Sequence, residues 1–225
     1  MADSFGQILP YAIGVAISPV PLVGVILMLA TPQARSNGPA FLLGWVVGLA
    51  LLGTVVLLVS GGAAADSGDR PANWTYVLKL LLGLLLLVVA FRQWHGRPRE
   101  GEPGSMPGWM EAVDRFTTGR SVALGVALSA VNPKNFALTV GAAASIAATG
   151  YSARAQAVGL VACVVIASIG VAIPLAIYFL AGDRAGRILS ELKSWMSLHN
   201  AAIMAVLCLI IGAKLIGDAI SGFAV

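Results

Sequence analysis

GVALSAVNPKNFAL, residues 125–138, sets a proline, a lysine and two asparagines inside an otherwise apolar run. A proline in a helix interior removes a backbone donor and clashes with the preceding turn. The carbonyls near Leu128 and Ser129 therefore lose their partners. In hydrocarbon this is tolerated only where protein or a water-lined cavity satisfies the freed groups. A lysine facing lipid at the bilayer centre costs about 2.5–3.5 kcal/mol. The stretch thus predicts an interrupted membrane helix with Lys134 turned inward.

The whole chain fits a membrane setting. Of its 225 residues 58% are hydrophobic and 11% charged, with a mean hydropathy of +0.89, whereas a soluble domain carries about 25% charged residues. Roughly 20 apolar residues cross a bilayer as a helix. Six segments meet that length: 5–30, 40–60, 74–94, 121–148, 153–181 and 201–221. No Lys or Arg precedes the first run, which outlasts a signal-peptide core, so it is expected to be a retained membrane helix. The fold class expected is a single all-α integral membrane domain, 1–225. Asn132 and Lys134 lie roughly 18–21 Å into the fourth span at ~1.5 Å per residue, near the bilayer middle.

A second interruption mirrors the first. GVAIS, residues 14–18, returns as GVALS, residues 125–129, 111 residues later, and helix breakers follow each copy: Pro19 and Pro21, then Asn132 and Pro133. Each copy opens a set of three spans. Two such sets cross the bilayer in opposite senses, the inverted-repeat plan of many secondary transporters. The halves are residues 1–95 and 120–225, joined by a linker, 96–119, with an amphipathic segment.

Charge sets the orientation. Arg35, Arg92, Arg97, Arg99, Arg115, Arg120, Arg184, Arg187 and Lys193 fall on one side, and Arg70 and Arg154 on the other. The positive-inside rule places both termini outside and the loops 31–39, 95–120 and 182–200 in the cytoplasm of a plasma-membrane protein. Within those loops 109–116 and 183–196 read as surface helices, the second presenting Ile188, Leu189, Leu192, Trp195 and Met196 on one face. Trp74, Trp94, Trp109 and Trp195 sit at expected interfaces.

The candidate substrate site gathers Ser18, Pro19, Pro21, Ser129, Asn132, Pro133, Lys134 and Asn135, with the lysine as the positive charge. The alternative is a structural kink, in which Lys134 is held by freed carbonyls and the asparagines cap half-helices. Lys214 and Asp218, four apart on the last helix, form a possible secondary charge pair. Lys79 stands near an outer span end, where it can snorkel.

Absences narrow the chemistry. The one acid inside a span core is Asp218, too few carboxylates for a metal carrier. His95 and His199 stand singly at span ends, and Cys163 and Cys208 read as small buried hydrophobes. No nucleotide-binding, zinc or dinucleotide motif occurs, and no basic stripe with interleaved aromatics suggests nucleic acid. The expectation is a chain that is no enzyme, needs no cofactor or metal, and draws its drive from an ion gradient, a partner or product consumption. A basic, amide-lined site favours a carboxylate, phosphate or sulfate. Gly44 and Gly48, at GxxxG spacing, could pack helices within the chain or join a homodimer, packing within the chain being favoured.

VNPKNFAL (131–138), WMEAVDRF (109–116), AISPVPLVGVILML (16–29) and MAVLCLIIGAKLIGDAI (204–220) together resemble the glycolipid-addressing proteins of mycobacteria and relatives, a family of the lysine-exporter superfamily. The resemblance covers nearly the whole chain, with NPKN its most specific element. It implies a lysine-exporter-like fold of six membrane helices in two inverted halves, and a part in moving envelope glycolipids toward the cell surface. Its motif residues fall on Ser18, Pro19, Pro21, Asn132, Pro133, Lys134 and Asn135. Carriers of cationic cargo would be expected to present central acids, where this chain has Lys134, so a lysine-export function does not transfer.

Three functions follow as expectations. The first is a transporter or flippase-like exporter of an anionic or glycosylated envelope lipid. The second is an exporter of small amino acids or related organic anions, which a closed, headgroup-sized cavity would favour, whereas a lateral opening would favour the lipid. The third is a non-transporting scaffold recruiting lipid-synthesis or export partners on the cytoplasmic side.

Overall fold

The computed structural model describes residues 2–67, 73–96 and 116–223, and every regular element among them is helical. In chain order these are α1 (Ala2–Ala16), α2 (Pro19–Leu29), α3 (Ala34–Ser67), α4 (Asn73–His95), α5 (Thr118–Val126), α6 (Pro133–Ala147), α7 (Ala153–Leu180) and α8 (Ala185–Phe223). A π-helical segment, Ala127–Val131, continues α5, and a 3-10 turn, Gly182–Arg184, precedes α8. Helices are the natural outcome for so apolar a chain, because each closes its own backbone hydrogen bonds.

Among the described residues five segments are long and apolar enough to cross a bilayer: Ile8–Leu29, Ala34–Ser60, Tyr76–His95, Ala153–Leu180 and Gly182–Phe223. The first is made of α1 and α2 in tandem. The expected span 121–148 is likewise divided, into α5 with its π segment and then α6. Each piece is shorter than the ~20 residues one crossing needs.

The bundle packs α4 along α8 and α3 along α5, with α1 lying against α6 and α7. Tyr11, Phe41, Trp45, Leu86, Leu138 and Leu215 form the most deeply buried part of the core. Leu43, Leu51, Leu58, Leu81, Phe91, Val161 and Ile210 point outward, as lipid-facing side chains would. The GxxxG pair packs within the chain. A methyl placed on Gly44 would strike the Val122 carbonyl, one on Gly48 the Ser129 hydroxyl, and one on Gly125 the Phe41 carbonyl. Backbones of α3 and α5 therefore touch directly, as small residues permit. Gly44→Val is expected to lower stability by about 3 kcal/mol, the upper range for overpacking. Gly119→Ala, where a methyl meets nothing within 4 Å, should be neutral or stabilise by up to about 1 kcal/mol. Thermal unfolding in detergent checks the pair, and equal effects would contradict the packing.

Two expectations are corrected. Residues 182–200 are not a loop with a separate surface helix: α8 runs unbroken from Ala185 to Phe223. Between Gly186 and Gly212 the chain has neither Gly nor Pro, so nothing ends the helix. The charges of 183–193 mark contact with water, not a helix terminus. On its first half Leu189 and Met196 are buried and Leu192 half-buried, while Ile188 and Trp195 are exposed. Lys79 does not snorkel; at 7% exposure it is buried, on the α4 flank that meets α8, where it feels the charges of Asp218 and Lys214. His95, His199 and Trp94 are exposed, and Cys163 and Cys208 are buried, as read. The segment 109–115, and Arg70, Arg97, Arg99 and Arg115, lie outside the described residues.

One end of the bundle collects the starts of α3, α5 and α8 with the finish of α4. Asn37 Nδ2 donates to the Phe116 carbonyl at 2.8 Å, tying the first turn of α3 to the approach to α5. Arg35, Arg92, Arg120, Arg184, Arg187 and Lys193 all belong to that end by topology, and Arg154 to the other.

Candidate functional site

Both interruptions use the same local chemistry. Ser18 and Asn132 occupy N-cap positions, and Pro19 and Pro133 follow at the first helical position. Proline is suited there because its missing N–H had no helical partner and its φ is already helical. Pro21, two residues on, removes another of the four donors a helix N-terminus leaves unpaired. Asn132 Oδ1 accepts from the Lys134 backbone N–H at 3.1 Å, a cap on α6. Ser18, in contrast, makes no cap bond to α2. Its hydroxyl is engaged elsewhere.

That hydroxyl joins the two breaks. Lys134 Nζ donates to Ser18 Oγ at 2.8 Å and to the Ile17 carbonyl at 3.4 Å. Ser18 Oγ donates to Asn135 Oδ1 at 2.7 Å, and Asn135 Nδ2 donates to the Leu128 carbonyl at 2.9 Å. Each break thus leaves a carbonyl, Ile17 or Leu128, that a side chain of α6 satisfies. Lys134 is 1% exposed, Asn135 0% and Ser18 4%. The α7 backbone comes up against this point too, since a methyl on Gly170 would collide with the Ala16 carbonyl.

The electrostatics are one-sided. No carboxylate among the described residues pairs with Lys134, and Cys208 of α8 is the titratable side chain that feels its charge. The N-termini of α2 and α6, each a partial positive charge, open beside the same ammonium. A ligand meeting this cluster would meet donors and positive potential. Among the described residues no three His, Cys, Asp or Glu side chains gather as for a metal.

Of the residues read from the sequence, Ser18, Lys134 and Asn135 meet directly, with Asn132, Pro19, Pro21 and Pro133 shaping the helix starts. Ser129 is buried but its hydroxyl donates to the Val126 carbonyl of its own helix at 3.0 Å, away from the ammonium. The correspondence of Ser18 with Ser129 is also corrected. The second break falls at Asn132, three residues beyond Ser129, after the chain passes through the π segment, where the Asn132 N–H reaches the Ala127 carbonyl at 3.1 Å. Matching letters aligned the copies; matching caps align Ser18 with Asn132.

Lys214 and Asp218 pair at 2.7 Å. Tyr11, which the sequence reading did not single out, joins them: its hydroxyl donates to Asp218 Oδ2 at 3.4 Å, and Lys214 Nζ lies 5.1 Å from its ring centre. Lys79 feels the charge of the same carboxylate, without an ion pair to it among the described residues. A lone phenol in the first apolar run was the available signal.

The family model for sulfolipid-1-addressing protein (Sap) matches residues 8–221. No curated protein and no solved structure matches the chain.

Proposed function

The chain belongs to the sulfolipid-1-addressing protein family, and on that footing we propose that it carries an anionic or glycosylated envelope lipid across the plasma membrane. The observation that supports this most is the Lys134 ammonium, buried between two interrupted helices and held by neutral oxygens alone. A sulfate, phosphate or carboxylate would give it the counter-charge it lacks, in charge-assisted bonds roughly twice as strong as neutral ones.

In this reading α1–α4 and α5–α8 are two inverted halves, the α5–α6 tandem makes the sixth crossing, and both termini face outward. In the arrangement described, Ser18, Asn135 and Lys134 satisfy each other. A headgroup arriving at the break takes the place of Ser18 on the ammonium, and rocking of the halves parts α2 from α6. The protein acts as a carrier, not as an enzyme. The outer cluster of Tyr11, Lys79, Lys214 and Asp218 is a second station for the departing anion.

Purified protein reconstituted in liposomes without partners should speed transbilayer movement of a sulfated glycolipid over that of its uncharged counterpart. Movement at the protein-free rate would sink the proposal and leave the scaffold reading. The tight enclosure of Lys134 supports one other cargo class, small organic anions such as amino acids. Uptake of those solutes, with lipid movement unchanged, would favour it.

A further inference from the structure

We propose that the cleft between α2, α7 and the start of α8 is the loading site for an anionic lipid, at the arginine-rich end of the bundle. This rests on the carrier reading and adds a place of entry to it. The cleft encloses about 510 Å³, within the ~300–1,000 Å³ of small-molecule sites. Its walls are apolar, with Ile26 and Leu29 from α2, Phe179 from α7 and Leu189 from α8. Its remaining lining includes two cations, Arg35 and Lys193. An acyl chain fits the walls and a charged headgroup fits the cations.

Both cations stand at the positively charged end of the bundle, Arg35 exposed and Lys193 half-buried. Among the described residues neither forms an ion pair, although Asp183 and Glu191 lie close by in sequence. Arg35 is the second residue of α3, where the helix dipole disfavours a positive charge. A headgroup anion supplies what both lack. The small residues Ala30, Gly182, Ala185 and Gly186 leave the space unfilled.

The cleft is also wired to the central site. Its α2 wall is the far end of the 11-residue helix whose first turn starts at Ser18, ~16 Å away at ~1.5 Å per residue. Displacing α2 to admit a chain would pull on the Ser18–Lys134 bond. Loading and release of the ammonium thereby become one movement.

The test uses the full chain in nanodiscs with a sulfated glycolipid carrying a photoreactive acyl chain, and an uncharged analogue as control. Label is expected on Phe179 or Leu189, with the uncharged lipid labelling at least about tenfold less. Arg35→Gln with Lys193→Gln should reduce labelling by a similar factor. Gly186→Trp should block it too; a Cβ there meets nothing within 4 Å, so the fold has room for the plug. Lys134→Met should keep the label while losing transfer. Labelling that ignores headgroup charge, or that survives both the double change and the plug, overturns the loading site. Competition by inorganic sulfate as effective as by the lipid overturns a lipid as the occupant. Charge-dependent label with transfer indifferent to Lys134→Met supports the loading site and removes Lys134 from the route, whereas charge-dependent label with no transfer by the unaltered protein supports the loading site and defeats the carrier reading.

Discussion

Lys134→Met is expected to cut transfer of an anionic lipid about a hundredfold while changing the stability of the folded protein by no more than about 2 kcal/mol. A hydrogen bond to a charged group contributes about 1.5–3 kcal/mol, and each 1.4 kcal/mol is a factor of about ten. Losing the one charge at the breaks therefore removes roughly one to two decades, the larger figure applying where the site excludes water. Stability should change little, because the Ile17 carbonyl loses its partner, at about 1–3 kcal/mol, while the loss of the buried charge acts in the opposite direction. Methionine keeps most of the volume, and removing a buried charge that has no carboxylate partner ends its desolvation penalty. Replacing buried ionic groups by apolar ones is often neutral or stabilising by about 1–4 kcal/mol. Transfer in proteoliposomes and thermal unfolding in detergent read the two halves of the expectation. Full transfer by the variant would show that Lys134 only braces the kink.

Ser18→Ala should have the largest effect on stability. One hydroxyl accepts from Lys134 and donates to Asn135, so its loss leaves Asn135 Oδ1 unpaired and the ammonium with only its longer bond to the Ile17 carbonyl. A buried polar group left unpaired costs about 1–3 kcal/mol, and with the weakened hold on the ammonium the destabilisation is about 2–5 kcal/mol. The context of Lys134→Met should relieve part of it, because no ammonium then needs the oxygen. A double-mutant cycle would show coupling of about 1–2 kcal/mol, the range for residues in one network. Additive effects, or a Ser18→Ala change below about 0.5 kcal/mol, would mean that the breaks are not held by this contact.

Much of the architecture could be read from local chemistry. Apolar runs long enough to cross hydrocarbon recur as helices, and Pro19 and Pro133 interrupt two of them where expected. The inward turn of Lys134 followed from the cost of the alternative. Ile17 and Leu128, at the breaks, are carbonyls that side chains must satisfy, and the structure has both so satisfied. What was misread was read by polarity alone. The charges after Gly182 do not end α8, because a helix stops at a breaker or an unsatisfied terminus, not at a water boundary. Lys79 was assigned to the surface from its place along α4, but its rotation about that axis turns it toward Asp218 and Lys214.

By itself the sequence determined that this chain lives in a membrane as helices, two of them broken, with a buried ammonium at one break. These are consequences of short-range forces: hydrophobic length, backbone hydrogen bonding, proline geometry and the price of a bare charge. Only the tertiary structure decided that Ser18 and not Ser129 meets Lys134, that Gly44 and Gly125 bring α3 and α5 into backbone contact, and that a cleft opens beside Arg35 and Lys193. Those depend on how far each helix is turned and slid against its neighbours, set by close packing among residues up to 207 positions apart, which no local pattern encodes.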